Sequence, residues 1–198
     1  MPIITIDGNI GAGKTTVLTH LHNNYNIYID LEPVEKWKSY LDNIYINNKN
    51  HFNLQLRVWL DRSWIQEKNK SLMLMERSPY FIRNTFNTYM YKNNLISNQE
   101  YVIINELYDK TDEIWKSNFY IYLRSNPENC LKRILERGRE NETNISIDYL
   151  NDIHELHEET YKKALESKFN VLIIDIENKT IEEISLIIIK YLRTIMQK

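Results

Sequence analysis

Gly8, Gly13, Lys14 and Thr15 stand at the spacing G-x-x-x-x-G-K-[ST] within DGNIGAGKTT, and Gly11 adds another glycine to the loop. That combination can grip a polyphosphate. Residues without side chains let backbone N–H groups turn inward around phosphate oxygens, and a helix starting near Lys14 adds its positive end. Gly8, Asn9, Ile10, Gly11, Ala12, Gly13, Lys14, Thr15 and Thr16 are therefore the expected cradle for ATP. Lys14 would bridge the outer phosphates, and the Thr15 hydroxyl would ligate Mg²⁺. A bare glycine turn would look similar, but here an apolar run precedes the loop and helical spacing follows it. The motif points to nucleoside triphosphate binding and is silent about reaction.

Three further motifs carry chemistry. EPVEKW (32–37) follows a short apolar run, so Glu32, fixed by Pro33, falls at a strand's C-terminal end, where ligands of parallel sheets bind. Alone it reads equally as a surface turn. MERSPY (75–80) follows another strand in the same way. Glu76 is placed like the acidic residue that steadies Mg²⁺ in P-loop enzymes, and Arg77 like a partner for phosphate or carboxylate. In RILERGR, Arg133 and Arg137 are one helical turn apart and share a face. By itself that stretch also reads as a solvated basic helix end.

DGNIGAGKTT, EPVEKW, ERSPY and CLKRILERGRENE…DYLNDIHELHEE, in this order, resemble the deoxyribonucleoside kinase family of deoxycytidine, deoxyguanosine and mitochondrial thymidine kinases. The resemblance covers roughly residues 3 to 176 and implies a P-loop kinase fold with an arginine-rich lid at about 133–146. It implies roles as well. Glu32 would take the proton from the deoxyribose 5′-hydroxyl, Arg77 would orient it and meet the transferring phosphoryl group, and Glu76 would stand on the Mg²⁺ side. Gln55 would pair with the base through donor and acceptor together. Trp37 and Phe86 would wall the base, and Tyr45 and Glu142 would hold the 3′-hydroxyl. The Tyr45 assignment requires one residue fewer than the family pattern before Gln55. Arg133, Arg137 and Arg139 would be the lid arginines, with Arg137 counted beside Lys14 in the catalytic set. Family members also imply a homodimer and feedback inhibition by a deoxynucleoside triphosphate.

The pattern departs at the base. Members preferring deoxycytidine or purines pair an arginine with an aspartate there. Arg62 holds the arginine position, seven residues after Gln55, but Ile82 holds the aspartate position, leaving Arg62 without that partner although Asp61 is adjacent. Thymidine-accepting relatives carry a small or apolar residue at the Ile82 position and usually lack the arginine. The cues conflict, with pyrimidines slightly favoured.

The elements that must position these residues follow from pattern. Runs 3–7, 26–30, 72–76, 119–123 and 171–175 are nearly continuously apolar, as for strands buried on both faces. Helical spacing occupies 14–24, 52–69, 78–94, 98–116, 128–137, 147–166 and 180–196. The alternation predicts an α/β protein with a five-stranded parallel sheet flanked by helices on both faces. Pro127 and Pro79 fall near helix starts, where a missing N–H costs nothing. Thr180 and Glu183 are spaced for a capping box. ERGRENETN, polar and set between two helices, is a connector or a lid. No Pro/Gly/Ser linker divides the chain, so residues 1–198 are expected to form one domain.

Composition narrows the class. In 198 residues the net charge is −2, against a dedicated nucleic-acid binder. Asn-rich stretches such as NIYINNKN are interleaved with aromatics, which argues against disorder. Cys130, the one cysteine, reads as a small core residue in a reducing compartment. The strand at the N-terminus leaves no visible leader, and ISLIIIKYL is too short for a membrane span, so a soluble cytoplasmic protein is expected. His154 and His157 are three residues apart, unlike the four of a zinc-protease pair, and His20, His22 and His51 read as surface residues. The leading expectation is an ATP- and Mg²⁺-dependent kinase for a small deoxynucleoside. A nucleoside monophosphate kinase would need an arginine where Glu32 stands, and an ATP-binding regulatory module would need neither the base nor the lid.

Overall fold

The computed structural model describes residues 3–63, 72–112 and 119–196. The apolar runs form β1 (Ile3–Asp7), β2 (Tyr28–Asp30), β3 (Met73–Glu76), β4 (Phe119–Arg124) and β5 (Asn170–Asp175). They make one parallel sheet in the order β2-β3-β1-β4-β5. The central strands are the buried ones: β3 is buried throughout, and β1 and β4 are buried except at their ends. Edge strands β2 and β5 are largely half-exposed, which is why NIYID carries the weaker apolar signal.

Alternation along each strand divides the core between the two faces. Ile4 and Ile6 of β1, with Ile121 and Leu123 of β4, pack against α1 (Lys14–Tyr25) and α9 (Ile181–Met196) through Val17, Leu18, Leu21, Ile184, Ile188 and Leu192. On the opposite face Tyr120 and Tyr122 meet Phe81 of α4 (Pro79–Ile82) and His157 of α8 (Ile147–Glu166). His157 is fully buried, and its Nδ1 bonds the Ile153 carbonyl at 2.7 Å, so it belongs to an aromatic stack.

The remaining helices are α2 (Val34–Tyr45), α3 (His51–Ser63), α5 (Thr88–Lys92), α6 (Asn98–Asp112) and α7 (Pro127–Arg137). A π turn, Arg83–Asn87, joins α4 to α5, and a 3-10 turn, Glu140–Glu142, lies between α7 and α8. The ends of the expected helices 52–69 and 98–116 lie outside the described residues. Start signals act as read: Pro127 opens α7, Pro79 opens α4, and Thr180 and Glu183 bond reciprocally; the structure adds Ser78, which accepts from the Phe81 N–H at 3.0 Å.

Two readings need correction. α2 is absent from the expected helices, although Trp37, Leu41 and Ile44 recur on one helical face. His51 is not a surface residue: it is 6% exposed and its Nε2 bonds Asn48 at 3.0 Å. Among the described residues no helix is long and apolar enough to cross a membrane.

Candidate active site

The glycine loop leaves β1, the middle strand, and runs into α1 at the C-terminal edge of the sheet. Its conformation requires glycine at Gly11, with φ 79°: a Cβ there would lie 2.5 Å from the Cys130 carbonyl oxygen. Cys130 is buried against Ala12, Ile134 and Leu150, and burial pushes its thiol up. Asn9 is 2% exposed and donates to the Leu150 carbonyl at 2.8 Å, bracing the loop on α8. Gly8, Asn9 and Ala12 thus shape the cradle from behind, while Ile10, Gly11, Gly13, Lys14, Thr15 and Thr16 line the cleft.

Lys14 is buried, and Nζ donates to the Gly8 and Asn9 carbonyls at 3.2 and 2.9 Å. Burial and nearby Arg77 push its pKa down to about 8, with Glu76 and Glu32 opposing. Thr15 Oγ1 donates to Glu76 Oε1 at 2.8 Å, and Glu76 Oε2 accepts from the Glu32 backbone N–H at 3.3 Å. A hydroxyl and one carboxylate beside a phosphate loop form the hard oxygen set that suits Mg²⁺, which takes few protein ligands and keeps substrate phosphates and water. Thr15 and Glu76 therefore fit the ion. Among the described residues no group of three or more His, Cys, Asp or Glu could hold a metal.

Arg77 adopts φ 64°, uncommon for a non-glycine residue, while its N–H continues the ladder to the Ile6 carbonyl at 2.9 Å. From there its Nε donates to Glu32 Oε1 at 2.7 Å and Nη1 to the Gly8 carbonyl at 3.2 Å. The guanidinium lies 4.5 Å over the Phe86 ring. Burial alone would push the Glu32 carboxyl up; Arg77, then Lys14 and Arg62, more than offset it and hold it below its ordinary value. Asp7, at the end of β1, accepts from the Ser78 N–H at 2.8 Å and the Thr5 hydroxyl at 3.0 Å. Complete burial raises its pKa to about 6.

These groups open on a cavity of about 300 Å³. Trp37, Ile82, Phe86, Gln55, Tyr45 and Glu142 line it with Arg137 and Arg139. Trp37 is steadied by its Nε1–H on Asp61 at 2.7 Å. Gln55 is 2% exposed, and its Oε1 has no hydrogen-bond partner among the described residues. Arg137 and Arg139 both pair with Glu142, the latter at 3.2 Å. Burial and then the Glu142 charge push the Tyr45 hydroxyl up to about 12, and Tyr149 stands edge-on to its ring.

Besides Gly8, Asn9 and Ala12 of the loop, two further expected site residues do not line the cleft. Arg133 donates to Ser125 Oγ at 2.8 Å and to the Gly11 carbonyl at 3.5 Å, outside the lid proper. Arg62 is turned away from the base region and pairs with Asp30 at 3.1 Å, while Asp61 is taken by Trp37 and Arg57. Motif reading also missed lining residues Val34, Leu41, Ile44, Leu54, Val58, Met90 and Tyr149. Leu41 and Ile44 follow Trp37 at helical spacing and were legible in principle; Tyr149, seven residues beyond Glu142, carried no local signal.

Comparison with known proteins bears on the family and the fold. The profile of the family described as deoxynucleoside kinase matches residues 4–196. The chain is 30% identical over 168 residues to human mitochondrial thymidine kinase 2, covering 79% of this chain and 63% of that one, less than two thirds of its length. It is 32% identical over 191 residues to the probable deoxycytidine kinase FPV151 of fowlpox virus (strain NVSL), covering 87% of this chain and 77% of the relative. The solved structure of a deoxyadenosine kinase from M. mycoides, with products dCMP and dCDP, superposes with a TM-score of 0.82 at 26% identity. That match covers 98% of this chain and 99% of the other.

Proposed function

Because the chain belongs to the deoxynucleoside kinase family, we propose that it transfers the γ-phosphoryl group of ATP to the 5′-hydroxyl of a deoxynucleoside, pyrimidines favoured, in salvage of DNA precursors. One observation carries the reading: Glu32, Arg77 and the Lys14 loop converge on one cleft at the sheet edge. The 5′-oxygen bonds to the γ-phosphorus as the bond from that phosphorus to the β,γ-bridging oxygen breaks. Its proton passes to the Glu32 carboxylate, and ADP leaves.

Phosphoryl transfer asks the protein mainly for positioning and charge neutralisation. Lys14 serves the outer phosphates, Arg77 the transferring group, and Arg137 and Arg139 close from the lid. Thr15 and Glu76 would hold Mg²⁺, which would neutralise phosphate charge. The sugar 3′-hydroxyl goes to Tyr45 and Glu142. Gln55 supplies a polar side chain at the base end, with Trp37 and Phe86. With Arg62 withdrawn and Ile82 and Met90 in the wall, that end is apolar and suits a pyrimidine. A homodimer is supported by the exposed Leu56 and Leu60 on α3 and Val102 and Ile103 on α6, a helix that packs against α3.

Steady-state phosphorylation of the four deoxynucleosides, set against their 5′-monophosphates, tests the reading. Turnover on deoxynucleosides is expected. Activity confined to monophosphates contradicts it, and ATP binding without any turnover leaves a regulatory module instead.

A further inference from the structure

Arg62 is 2% exposed and does not itself line the cleft. Its Nη2 donates to the Glu76 carbonyl at 2.8 Å, and its Nη1 to the Leu31 carbonyl at 3.3 Å. Nη1 also pairs with the Asp30 carboxylate at 3.1 Å. The two carbonyls belong to the peptide groups that lead directly into Arg77 and Glu32. The ladder between β2 and β3 ends at Asp30 and Met75, one residue short of these peptides. Past that point a planar guanidinium, whose fork reaches two acceptors at once, joins the diverging strand ends.

We propose that Arg62 is a positioning residue: it clips the ends of β2 and β3 together and so sets the separation of Glu32 from Arg77. The inference rests on the phosphotransfer reading above and assigns Arg62 no part in reading the base. Gln55 lies two helical turns earlier on the same side of α3, which makes one rigid helix carry both the base contact and the clip. Docking of the base against Gln55 thereby bears on the element that aligns the 5′-hydroxyl acceptor. A lysine in place of Arg62 supplies charge at one point and reaches both carbonyls poorly. Asp30, 40% exposed at its side chain, orients the guanidinium from outside.

The test is steady-state kinetics of wild type, Arg62→Met, Arg62→Lys and Asp30→Asn on the four deoxynucleosides at saturating MgATP. Misalignment of reacting groups lowers kcat of Arg62→Met by roughly 10²-fold. Nucleoside KM stays within about threefold and the ranking of the four bases is preserved. Arg62→Lys recovers part of the loss, and Asp30→Asn shows a smaller fall in kcat with the same ranking. A reordered ranking, or a raised KM with kcat intact, means that Arg62 reads the base and overturns the inference. If circular dichroism shows Arg62→Met unfolded, Arg62→Lys and Asp30→Asn decide by the same criteria. A wild type that phosphorylates none of the four removes the functional reading and this inference with it. A working wild type whose variants keep kcat removes this inference alone.

Discussion

Arg77 Nε lies 2.7 Å from Glu32 Oε1, and the same guanidinium reaches the Gly8 carbonyl at 3.2 Å. One side chain therefore spans the acceptor carboxylate and the phosphate loop, two features that lie 24 positions apart in the sequence between Gly8 and Glu32. The pairing keeps Glu32 ionised in a buried site, so the proposed base is ready to accept a proton without first losing one. It also anchors Arg77, which holds a left-handed backbone at the end of β3.

Lys14 provides a pH-dependent signature. Its pKa of about 8 means that part of the free protein carries a neutral Lys14 at pH 8. A bound triphosphate favours the charged form, so binding takes up protons there and not well below that pH. Calorimetry of MgATP binding in buffers of different ionisation enthalpy should show uptake at about pH 8 that fades toward about pH 6.5. No uptake at pH 8 would mean that Lys14 is already fully charged.

The Thr15–Glu76 contact predicts where Mg²⁺ dependence resides. Glu76→Gln removes the carboxylate charge but keeps the size, and should raise the Mg²⁺ concentration for half-maximal activity by about tenfold or more. Titration of activity with Mg²⁺ at fixed ATP reads this directly. An unchanged titration places the ion elsewhere.

Gln55 combines a stability cost with a binding role. Its Oε1 is buried without a partner among the described residues, a state that costs free energy until a ligand satisfies it. Gln55→Leu should leave the thermal midpoint of the free protein unchanged or higher, while nucleoside KM rises about tenfold or more. A lower midpoint with unchanged KM would make Gln55 a structural residue.

Asp7 shapes stability against pH. Its folded pKa of about 6 lies above the ordinary aspartate value, so the stability it contributes is complete below the unfolded pKa and is lost as pH rises through about 6. Between pH 5 and 8 this amounts to about 1 kcal/mol. Asp7→Asn keeps an acceptor for the Ser78 N–H and cannot ionise. Denaturant unfolding at the two pH values should show a smaller difference in the variant than in wild type; an equal difference assigns the effect to other groups.

Legibility followed locality. The phosphate loop, the strand runs and the helix starts at Pro79, Pro127 and Thr180 were readable because each depends on residues a few positions apart. Edge strand β2 was faint because none of its three residues is buried, and α2 was missed although Trp37, Leu41 and Ile44 are spaced along one face of it. Arg62 shows the opposite limit. Its position in the pattern matched a base-contacting arginine, but with Ile82 offering no carboxylate, the guanidinium turns to Asp30 and to peptide carbonyls brought close only by folding. Arg133 likewise stays with Ser125 and the loop, although its spacing groups it with the lid arginines.

The central claim is that Glu32 is the base for the 5′-hydroxyl. Turnover and ATP binding by Glu32→Gln, compared with wild type on the best deoxynucleoside, test it most directly. The account predicts that kcat falls by roughly 10² to 10⁴-fold while the ATP dissociation constant stays within about threefold. Turnover at the wild-type rate would contradict it.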